Sequence, residues 1–124
     1  MKPHGLPKTS LIRKNREFNR VYRYGNRLYG DGFAVIYMSN QKQWSRLGIS
    51  VQRKVGGAVQ RNRIKRIIRE VFRKNRNLFP RNADVVVTVR PGFSARSSSD
   101  FQHMVSAVMD AKSFPDDLND GELC

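Results

Sequence analysis

The residues best suited to carry chemistry in this sequence lie in one basic stretch, residues 53–70, where Glu70 is the only acid. Guanidinium groups bind a phosphate through two parallel hydrogen bonds, and the amide of Asn62 can bind backbone or sugar oxygens. Gly56 and Gly57 let the main chain approach a ligand closely just before a helix, whose first free N–H groups favour anions. The stretch predicts a surface that follows a phosphate backbone. On its helix, the side chains opposite the apolar residues are polar or basic: Asn62, Lys65, Arg66, Arg69 and Arg73.

A charged helix face that merely contacts water is the main alternative for this stretch. Such a face usually places glutamate and lysine four residues apart, because these pairs stabilise a helix. Here Glu70 stands alone among the bases. The chain also has 24 Lys and Arg against 10 Asp and Glu, a net charge of +14. Such a charge density repels itself unless a polyanion neutralises it, so nucleic acid is the first partner to consider.

Catalytic machinery of the protein's own is not evident in the sequence. A nuclease with two metal ions needs several carboxylates converging on ions about 3.5–4 Å apart, whereas the acids before residue 110 are widely spread. His4 and His103 have no oriented partner and are interpreted as surface residues. No Ser-His-Asp set, Walker loop or dinucleotide fingerprint occurs. We therefore predict no catalytic residue, no metal ligand and no organic cofactor, and a polypeptide that alone breaks no bond.

The compartment follows from the cysteine count and the apolar runs. Cys124 is the only cysteine, which excludes an intrachain disulfide and a cysteine-based zinc site. The first residues are polar, and the longest apolar run, residues 33–38, is far short of the roughly 20 residues that cross a bilayer. We expect a cytoplasmic protein with no membrane association.

The first elements along the chain are an arm and a helix. Residues 1–14 mix prolines and glycine with bases and are predicted to be an irregular basic arm. A short helix is predicted from an N-cap at Asn15 to a stop at Gly25. Its apolar face repeats at helical spacing and consists of Phe18, Val21 and Tyr22.

Three strands are predicted. Residues 33–38 are apolar throughout and indicate a strand covered on both faces, and residues 47–51 alternate apolar with small residues. These two can pair as a hairpin across a polar loop. Residues 84–89 indicate a buried central strand. If it lies parallel to residues 47–51, the basic helix between them is the crossover.

Two amphipathic helices complete the domain. The basic helix carries an apolar stripe opposite its cations, formed by Ile64, Ile67, Ile68, Val71 and Phe72. The last helix begins at a possible capping box, Ser99 with Gln102, and its stripe is Phe101, Met104, Val105, Val108 and Met109. These elements predict an α+β fold, a sandwich with helices over a mixed sheet. It consists of the arm, one RNA-binding domain at residues 15–112, and an acidic flexible tail at residues 113–124.

The string KVGGAVQRNRIKRIIREVFR, residues 54–73, resembles the signature of the bacterial ribonuclease P protein subunit. That family pattern runs basic-basic-aliphatic-Gly-x-Ala-Val-x-Arg-Asn-Arg-x-Lys-Arg. Residues 15–25 resemble the first helix of the family, and the order of elements from about residue 11 to residue 112 agrees with it. The resemblance implies a subunit of the ribonucleoprotein that removes the 5′ leader from precursor tRNA by endonucleolytic hydrolysis.

The same resemblance implies how the work is divided. The catalytic RNA cuts the bond with Mg²⁺ held mainly by RNA phosphates, and the protein binds both the leader and the ribozyme and raises the effective affinity for Mg²⁺. The implied partners are the catalytic RNA and precursor tRNA, and no protein partner is required. The resemblance also implies that the protein binds precursor tRNA more tightly than mature tRNA, because it contacts a leader that the product lacks.

Site residues follow from the family positions. Phe18, Tyr22 and Tyr37 are implied to line the leader cleft, although helical periodicity alone favours Phe18 and Tyr22 as core residues. Residues beside the leader are implied to be Ser50, Arg53 and Lys54. The basic helix is implied to face the catalytic RNA through six contacts: Arg61, Asn62, Arg63, Lys65, Arg66 and Arg69. Stacking on aromatic side chains tolerates any base sequence, which suits a leader of no fixed sequence.

The resemblance implies a two-layer sandwich of helices on a mixed four-stranded sheet. This family fold resembles domain 2 of a small-subunit ribosomal protein and carries a left-handed βαβ crossover around the basic helix. The general rule for parallel strands predicts a right-handed one instead. Residues 27–32 carry one residue more than the family pattern, so the match at Tyr37 is open to a shift by one position.

Two other functions remain open from the residues alone. A structural RNA binder, such as a ribosomal protein or an RNA chaperone, shows the same charge and predicts RNA affinity without leader dependence. A helix-turn-helix DNA-binding protein needs a helix shortly before the basic helix. The strand pattern at residues 47–51 argues against that third possibility.

Overall fold

The computed structural model describes the backbone of residues 10–119 and the side chains of residues 10–109. The described residues form three helices and four strands, with short 3₁₀ turns at Arg53–Val55 and Arg76–Leu78. In order, the elements are α1 (Asn15–Tyr24), β1 (Asn26–Gly30), β2 (Phe33–Ser39), β3 (Arg46–Val51), α2 (Ala58–Lys74), β4 (Ala83–Val89) and α3 (Ser98–Asn119).

The four strands form one mixed sheet in the order β1-β2-β4-β3. β2 pairs antiparallel with both β1 and β4, whereas β3 pairs parallel with β4. The predicted α+β class and mixed four-stranded sheet are confirmed. So is the parallel pairing that makes α2 the crossover between β3 and β4. The hand of that crossover stays a prediction from the family resemblance.

Helices cover both faces of the sheet, which adds a layer to the predicted two-layer sandwich. α1 packs Val21 against Ile36 and Val86 on one face. On the other face, α2 and α3 pack against the alternate residues of the same strands, among them Val35 and Val87. β2 and β4 are apolar at successive positions, so both sides of these two central strands require cover.

The predicted hairpin between residues 33–38 and 47–51 is wrong, because β4 lies between β2 and β3. β2 instead forms a hairpin with β1, a strand that the sequence analysis missed. Asp31 and Gly32 make the turn, and Gly32 has a φ of 76°, in the left-handed region that favours glycine. β1 is an edge strand with mostly exposed residues, so its sequence lacks the apolar alternation of a half-buried strand.

Both predicted helix starts differ from the observed ones. Lys14, not Asn15, is the N-cap of α1, and no side chain caps that end, while Gly25 ends the helix as predicted. In α3, the hydroxyl of Ser97 accepts a hydrogen bond from the Asp100 N–H at 3.2 Å. The Asp100 carboxylate in turn accepts the Arg96 N–H at 3.0 Å. Capping therefore lies just before the predicted Ser99–Gln102 box.

The two ends of the chain also differ from the predicted domain limits. Residues 10–14 of the predicted arm belong to the fold, because Ile12 is buried and its N–H donates to the Leu47 carbonyl at 2.8 Å. Leu11 forms a parallel bridge with Leu47 along the edge of β3. α3 extends to Asn119, so the predicted tail begins as helix. Residues 1–9 and 120–124 lie outside the described residues.

The predicted apolar stripes of α2 and α3 are confirmed. All five stripe residues of α2 are buried. In α3, Phe101 and Val105 are buried, and the three others pack against the same cluster. Phe101 also meets the rings of Phe33 and Phe93 in edge-on contacts, with centroids 5.3 and 5.7 Å away. The two helices thus share one core beneath the sheet.

Arg46 joins three parts of the molecule at one end of the sheet. Its guanidinium donates two hydrogen bonds to the buried carboxylate of Asp84, at 2.8 and 2.7 Å, and a third to Glu17 at 3.2 Å. The side-chain amide of Asn40 donates to the same Asp84 carboxylate at 3.0 Å. The network ties β3, β4, α1 and the loop after β2 together, and the sequence analysis did not identify it.

The charges in this network shift the pKa of both main partners. Burial by itself raises the pKa of Asp84, but hydrogen bonds from Arg46 and Asn40 and the charge of Arg46 outweigh it, so the pKa lies below its ordinary value. The hydrogen bond to Asp84 raises the pKa of Arg46 above its usual range. Asp84 is therefore more acidic in the folded chain than in the unfolded one. It stabilises the fold above its unfolded pKa of about 3.9, and this contribution is lost as the pH falls through the lower folded pKa.

We expect Asp84→Asn to lower the free energy of unfolding at pH 7 by on the order of 3 kcal/mol, because it leaves the Arg46 charge without its main partner. Urea unfolding measures the loss. The matched control is Asp31→Asn, an exposed acid in the β1–β2 turn, for which we expect little change. The difference between wild type and Asp84→Asn should shrink as the pH falls below 4. Equal losses for both variants, or a difference that does not depend on pH, would contradict this account.

Candidate nucleic-acid interface

A groove runs between α1 and the edge of β3. Its floor and walls come from the half-buried rings of Phe18 and Tyr22, whose centroids are 6.3 Å apart, together with Ile49 and Ser50 of β3. The volume is about 470 Å³. Gly48 is required beneath Phe18, because a Cβ there would lie 2.8 Å from the ring. The aromatic rings are thus seated on the sheet yet remain accessible.

The groove continues toward α2 as a smaller cavity of about 200 Å³. Phe18 and Ile49 belong to both parts, and the second part adds Arg13, Lys65 and Arg69. The edge of β3 therefore brings aromatic rings of α1 and cations of α2 to one surface. It unites two residue sets that the sequence analysis assigned separately, to the leader and to the catalytic RNA.

Tyr37 is the predicted site residue that the structure does not bring to this groove. Successive side chains of a strand point to opposite faces. Tyr37 pairs with Val85 and packs against the core shared by α2 and α3, whereas Phe18 and Tyr22 pack near Met38 on the other face. The sequence analysis left the match at Tyr37 open to a shift by one position, and such a shift moves the match to the opposite face of the strand.

Arg53 and Lys54 lie at one end of the groove rather than in its wall. They form the 3₁₀ turn that follows β3, and both are exposed. Ser50, three residues earlier in the chain, lines the groove itself. The turn therefore presents two cations beyond the last groove residue of β3, next to the start of α2.

The six predicted contacts on α2 lie opposite or beside its buried stripe. Asn62, Arg63, Arg66 and Arg69 are exposed, and Arg61 and Lys65 are partly buried. Two of the arginines are held by carbonyl oxygens. Arg61 donates to Gly56 at 3.1 Å, and Arg63 donates to Arg96 at 3.3 Å.

No carboxylate in the described part of the chain forms an ion pair with any of these five cations. Glu70, the one acid of the helix, instead binds Arg73 at 3.0 Å and Lys74 at 2.7 Å. Hydrogen bonds from Lys74 and then Arg73 lower the pKa of Glu70. The acid therefore neutralises the last turn of α2 and leaves the cations of the preceding turns available to an anion.

Some groove residues escaped the sequence analysis. Arg13 was assigned to an irregular arm, and Asn15 was interpreted only as a cap, yet both line the groove. Asn19 lies on the same wall. The signal was present in α1, because Asn15 and Asn19 are four residues apart and flank Phe18 and Tyr22 on one side of the helix.

The part of the chain that the structure describes contains neither a metal-binding cluster nor a membrane-spanning helix. Within residues 10–109, no group of three or more His, Cys, Asp or Glu side chains is placed to hold a metal ion. None of the helices described is both long and apolar enough to span a bilayer.

Comparison with known proteins identifies the family. The sequence matches the ribonuclease P family over residues 6–112. It is 52% identical over 108 residues to the ribonuclease P protein component of Desulfotalea psychrophila, covering 87% of this chain and 90% of that protein. It is 40% identical over 83 residues to the protein component of Thermotoga maritima, covering 67% of this chain and 71% of that one.

Solved structures show the same fold. The RNase P protein of Staphylococcus aureus superposes with a TM-score of 0.75 at 33% identity, covering 86% of this chain and 97% of that one. The RNase P protein of Thermotoga maritima gives a TM-score of 0.60 at 35% identity, covering 80% of this chain and 87% of that one. The chain therefore belongs to the ribonuclease P protein family and has a role in tRNA processing.

Proposed function

We propose that this chain assists the catalytic RNA of ribonuclease P in removing the 5′ leader from precursor tRNA. The observation that carries the proposal is the shared groove, in which Phe18 and Tyr22 face Lys65 and Arg69 across the edge of β3. Aromatic rings supply stacking surfaces for bases, and flanking cations neutralise the phosphates between them. That combination fits an unpaired strand of RNA.

The groove suits a strand of any sequence. Its surface offers ring faces, aliphatic atoms and cations, with few groups able to read the edge of a base: Asn15, Asn19 and Ser50. Stacking is worth roughly 1–3 kcal/mol per base whatever the base. A leader that contacts the groove therefore adds binding energy to precursor that mature tRNA does not receive, which favours release of the product.

The exposed cations of α2 are proposed to bind the catalytic RNA. Arg63, Arg66 and Arg69 are exposed on one helix, and Arg53 and Lys54 extend the charge beyond its start. Because α2 packs its other side into the core, the cations are presented on a rigid element rather than on a loop. Because Lys65 and Arg69 of the same helix also line the groove, α2 would fix the orientation of the bound catalytic RNA relative to the leader.

Hydrolysis is assigned to the RNA in this proposal. The groove donors are cations and amides, a set that does not fit Mg²⁺, which prefers carboxylate and phosphate oxygens. RNA phosphates are the better ligands. The protein's contribution is to reduce repulsion between RNA strands, so that the assembled ribonucleoprotein needs less Mg²⁺ than the RNA alone.

The first test is reconstitution with the cognate catalytic RNA. At low Mg²⁺, adding the protein should restore cleavage of precursor tRNA at the leader junction, and at high Mg²⁺ its effect should diminish. Gel analysis of the 5′ product measures the rate, with protein lacking RNA as the control. Cleavage that does not depend on the protein, or cleavage by the protein alone, would refute the assignment.

The second test concerns the groove. Phe18→Leu and Tyr22→Ala should each weaken binding of precursor tRNA by on the order of 1–3 kcal/mol and leave binding of mature tRNA unchanged, because each removes one stacking surface. Tyr24→Ala is the matched control, since Tyr24 is on the same helix but 68% exposed and outside the groove. The structural RNA binder predicts the opposite pattern, equal losses for precursor and mature tRNA.

The third test is ionic strength. Affinity for the catalytic RNA should fall by about 10³-fold between 50 and 200 mM salt if the contact neutralises as many phosphates as multi-phosphate DNA binders do. Arg66→Gln should weaken binding and also make the salt dependence less steep, because one fewer counterion is released. Titrations followed by filter binding give both quantities. An affinity that does not change with salt would show that the cations of α2 do not meet phosphate.

A further inference from the structure

A second cleft lies at the end of the sheet opposite Arg53 and Lys54. It opens between the loop after β2 and the turn before β4, and its volume is about 460 Å³. β3 and β4 both begin here, whereas the groove residue Ser50 is near the other end of β3. The lining residues share no member with the groove: Gln43, Trp44, Ser45, Arg76, Asn77, Pro80, Arg81 and Asn82.

Hydrogen bonds fix the two walls of this cleft against each other. The hydroxyl of Ser45 donates to the Pro80 carbonyl at 2.8 Å and accepts the Ala83 N–H at 3.2 Å. The Asn40 N–H donates to the Asn82 carbonyl at 2.9 Å. Asn40 therefore contacts the cleft, through Asn82, and the Arg46 network, through Asp84, at the same time.

Two residues of these walls adopt backbone conformations that non-glycine residues rarely use. Gln41 has a φ of 60° and Asn82 a φ of 51°. Left-handed conformations cost free energy and persist where the surroundings impose them. The side-chain amide of Asn40 also donates to the Trp44 carbonyl at 3.1 Å, which closes the loop around Gln41. Hydrogen bonds within the protein therefore fix the shape of the cleft.

The side chains in the cleft combine an aromatic ring with cations. Trp44 is 42% exposed, and the ammonium of Lys42 lies 5.8 Å from the centre of its ring. Arg76 is positioned over the Phe72 ring at 4.7 Å, which holds one guanidinium at the wall. Arg81 supplies a second guanidinium, and no acid lines the cleft.

We propose that this cleft binds one unpaired nucleotide of RNA, with the base against Trp44 and the phosphates against Arg76 and Arg81. Base stacking on indole and phosphate binding by guanidinium are the two interactions that these residues offer together. Amides of Gln43, Asn77 and Asn82 supply donors and acceptors for the base or sugar. The lining residues are complementary to a nucleotide in charge and in the groups that they offer.

The position of the cleft fits an RNA that also contacts α2. α2 has 17 residues and is about 25 Å long. It begins next to Gly57 and ends two residues before Arg76, so its exposed side connects the basic surface with the cleft. The proposal rests on the proposed function only in taking RNA as the partner. The nucleotide can belong to the catalytic RNA or to precursor tRNA.

Trp44 is the only tryptophan, so its fluorescence reports on this cleft in the full-length protein. We would titrate the protein with the cognate catalytic RNA, with precursor tRNA, with mature tRNA and with inorganic polyphosphate. The proposal expects quenching by at least one RNA and none by polyphosphate, which has charge but no bases. The RNA that quenches identifies the source of the nucleotide.

Variants separate the cleft from general charge effects. Trp44→Leu should lower the affinity for the RNA that quenches the fluorescence by about tenfold, because one base loses its stacking partner. Filter binding measures this affinity. Arg81→Gln should shift the quenching titration to higher RNA concentration. Arg16→Gln, an exposed arginine on α1 with the same charge change, should shift it less. Thermal melting confirms that each variant is folded.

Unchanged Trp44 fluorescence while filter binding shows every RNA to be bound would overturn the proposal. Equal quenching by polyphosphate, or equal shifts for Arg81→Gln and Arg16→Gln, would do so as well. The proposed function has a separate readout, because cleavage of precursor tRNA is measured without reference to Trp44. Quenching by RNA without assisted cleavage would support nucleotide binding at the cleft and contradict the proposed function in ribonuclease P.

Discussion

The ion pair between Arg46 and Asp84, extended to Glu17, fixes how α1 and the edge strand β3 lie against the central strand β4. Asp84 lies near the start of the central strand β4, and its two carboxylate oxygens take the guanidinium of the neighbouring strand β3. The same guanidinium reaches Glu17 in the first turn of α1. α1 is thereby held against the sheet at the residue next to Phe18, the ring that both parts of the groove share. The geometry of the groove thus depends on a buried contact outside it.

Internal use of the few acids also explains why the cations remain available. Glu17 and Asp84 bind Arg46, Glu70 binds the last turn of α2, and the Asp100 carboxylate accepts a backbone N–H beside α3. Of the acids before residue 110, only Asp31 has no such contact in the part of the chain that the structure describes. The fold therefore places negative charge where it joins elements and leaves positive charge on the surface of α2.

The amphipathic helices could be predicted from the sequence. Which strands pair, and which face of the sheet a strand residue such as Tyr37 occupies, could not. Stripes at helical spacing marked α2 and α3, since burial on one side leaves a periodic record. The strand pairing was wrong because β2 and β4 are apolar almost throughout, and such strands carry no information on their neighbours. For the same reason, the face of Tyr37 could not be assigned from its surroundings. β1 was missed because an exposed edge strand needs few apolar residues, and Arg46 was missed because its partner is 38 residues away.

The parallel pairing of β3 with β4 has a kinetic consequence. The two strands can meet only after the whole connecting segment, α2 included, has folded back across the sheet, and contacts so distant in sequence form slowly. In α2 itself, bases recur every fourth residue at Arg61, Lys65, Arg69 and Arg73, and such like-charge neighbours oppose helix formation. A polyanion lying along this face offsets their repulsion and, by mass action, favours the folded chain. RNA bound along α2, as proposed, would therefore stabilise the folded form of the chain that recognises it.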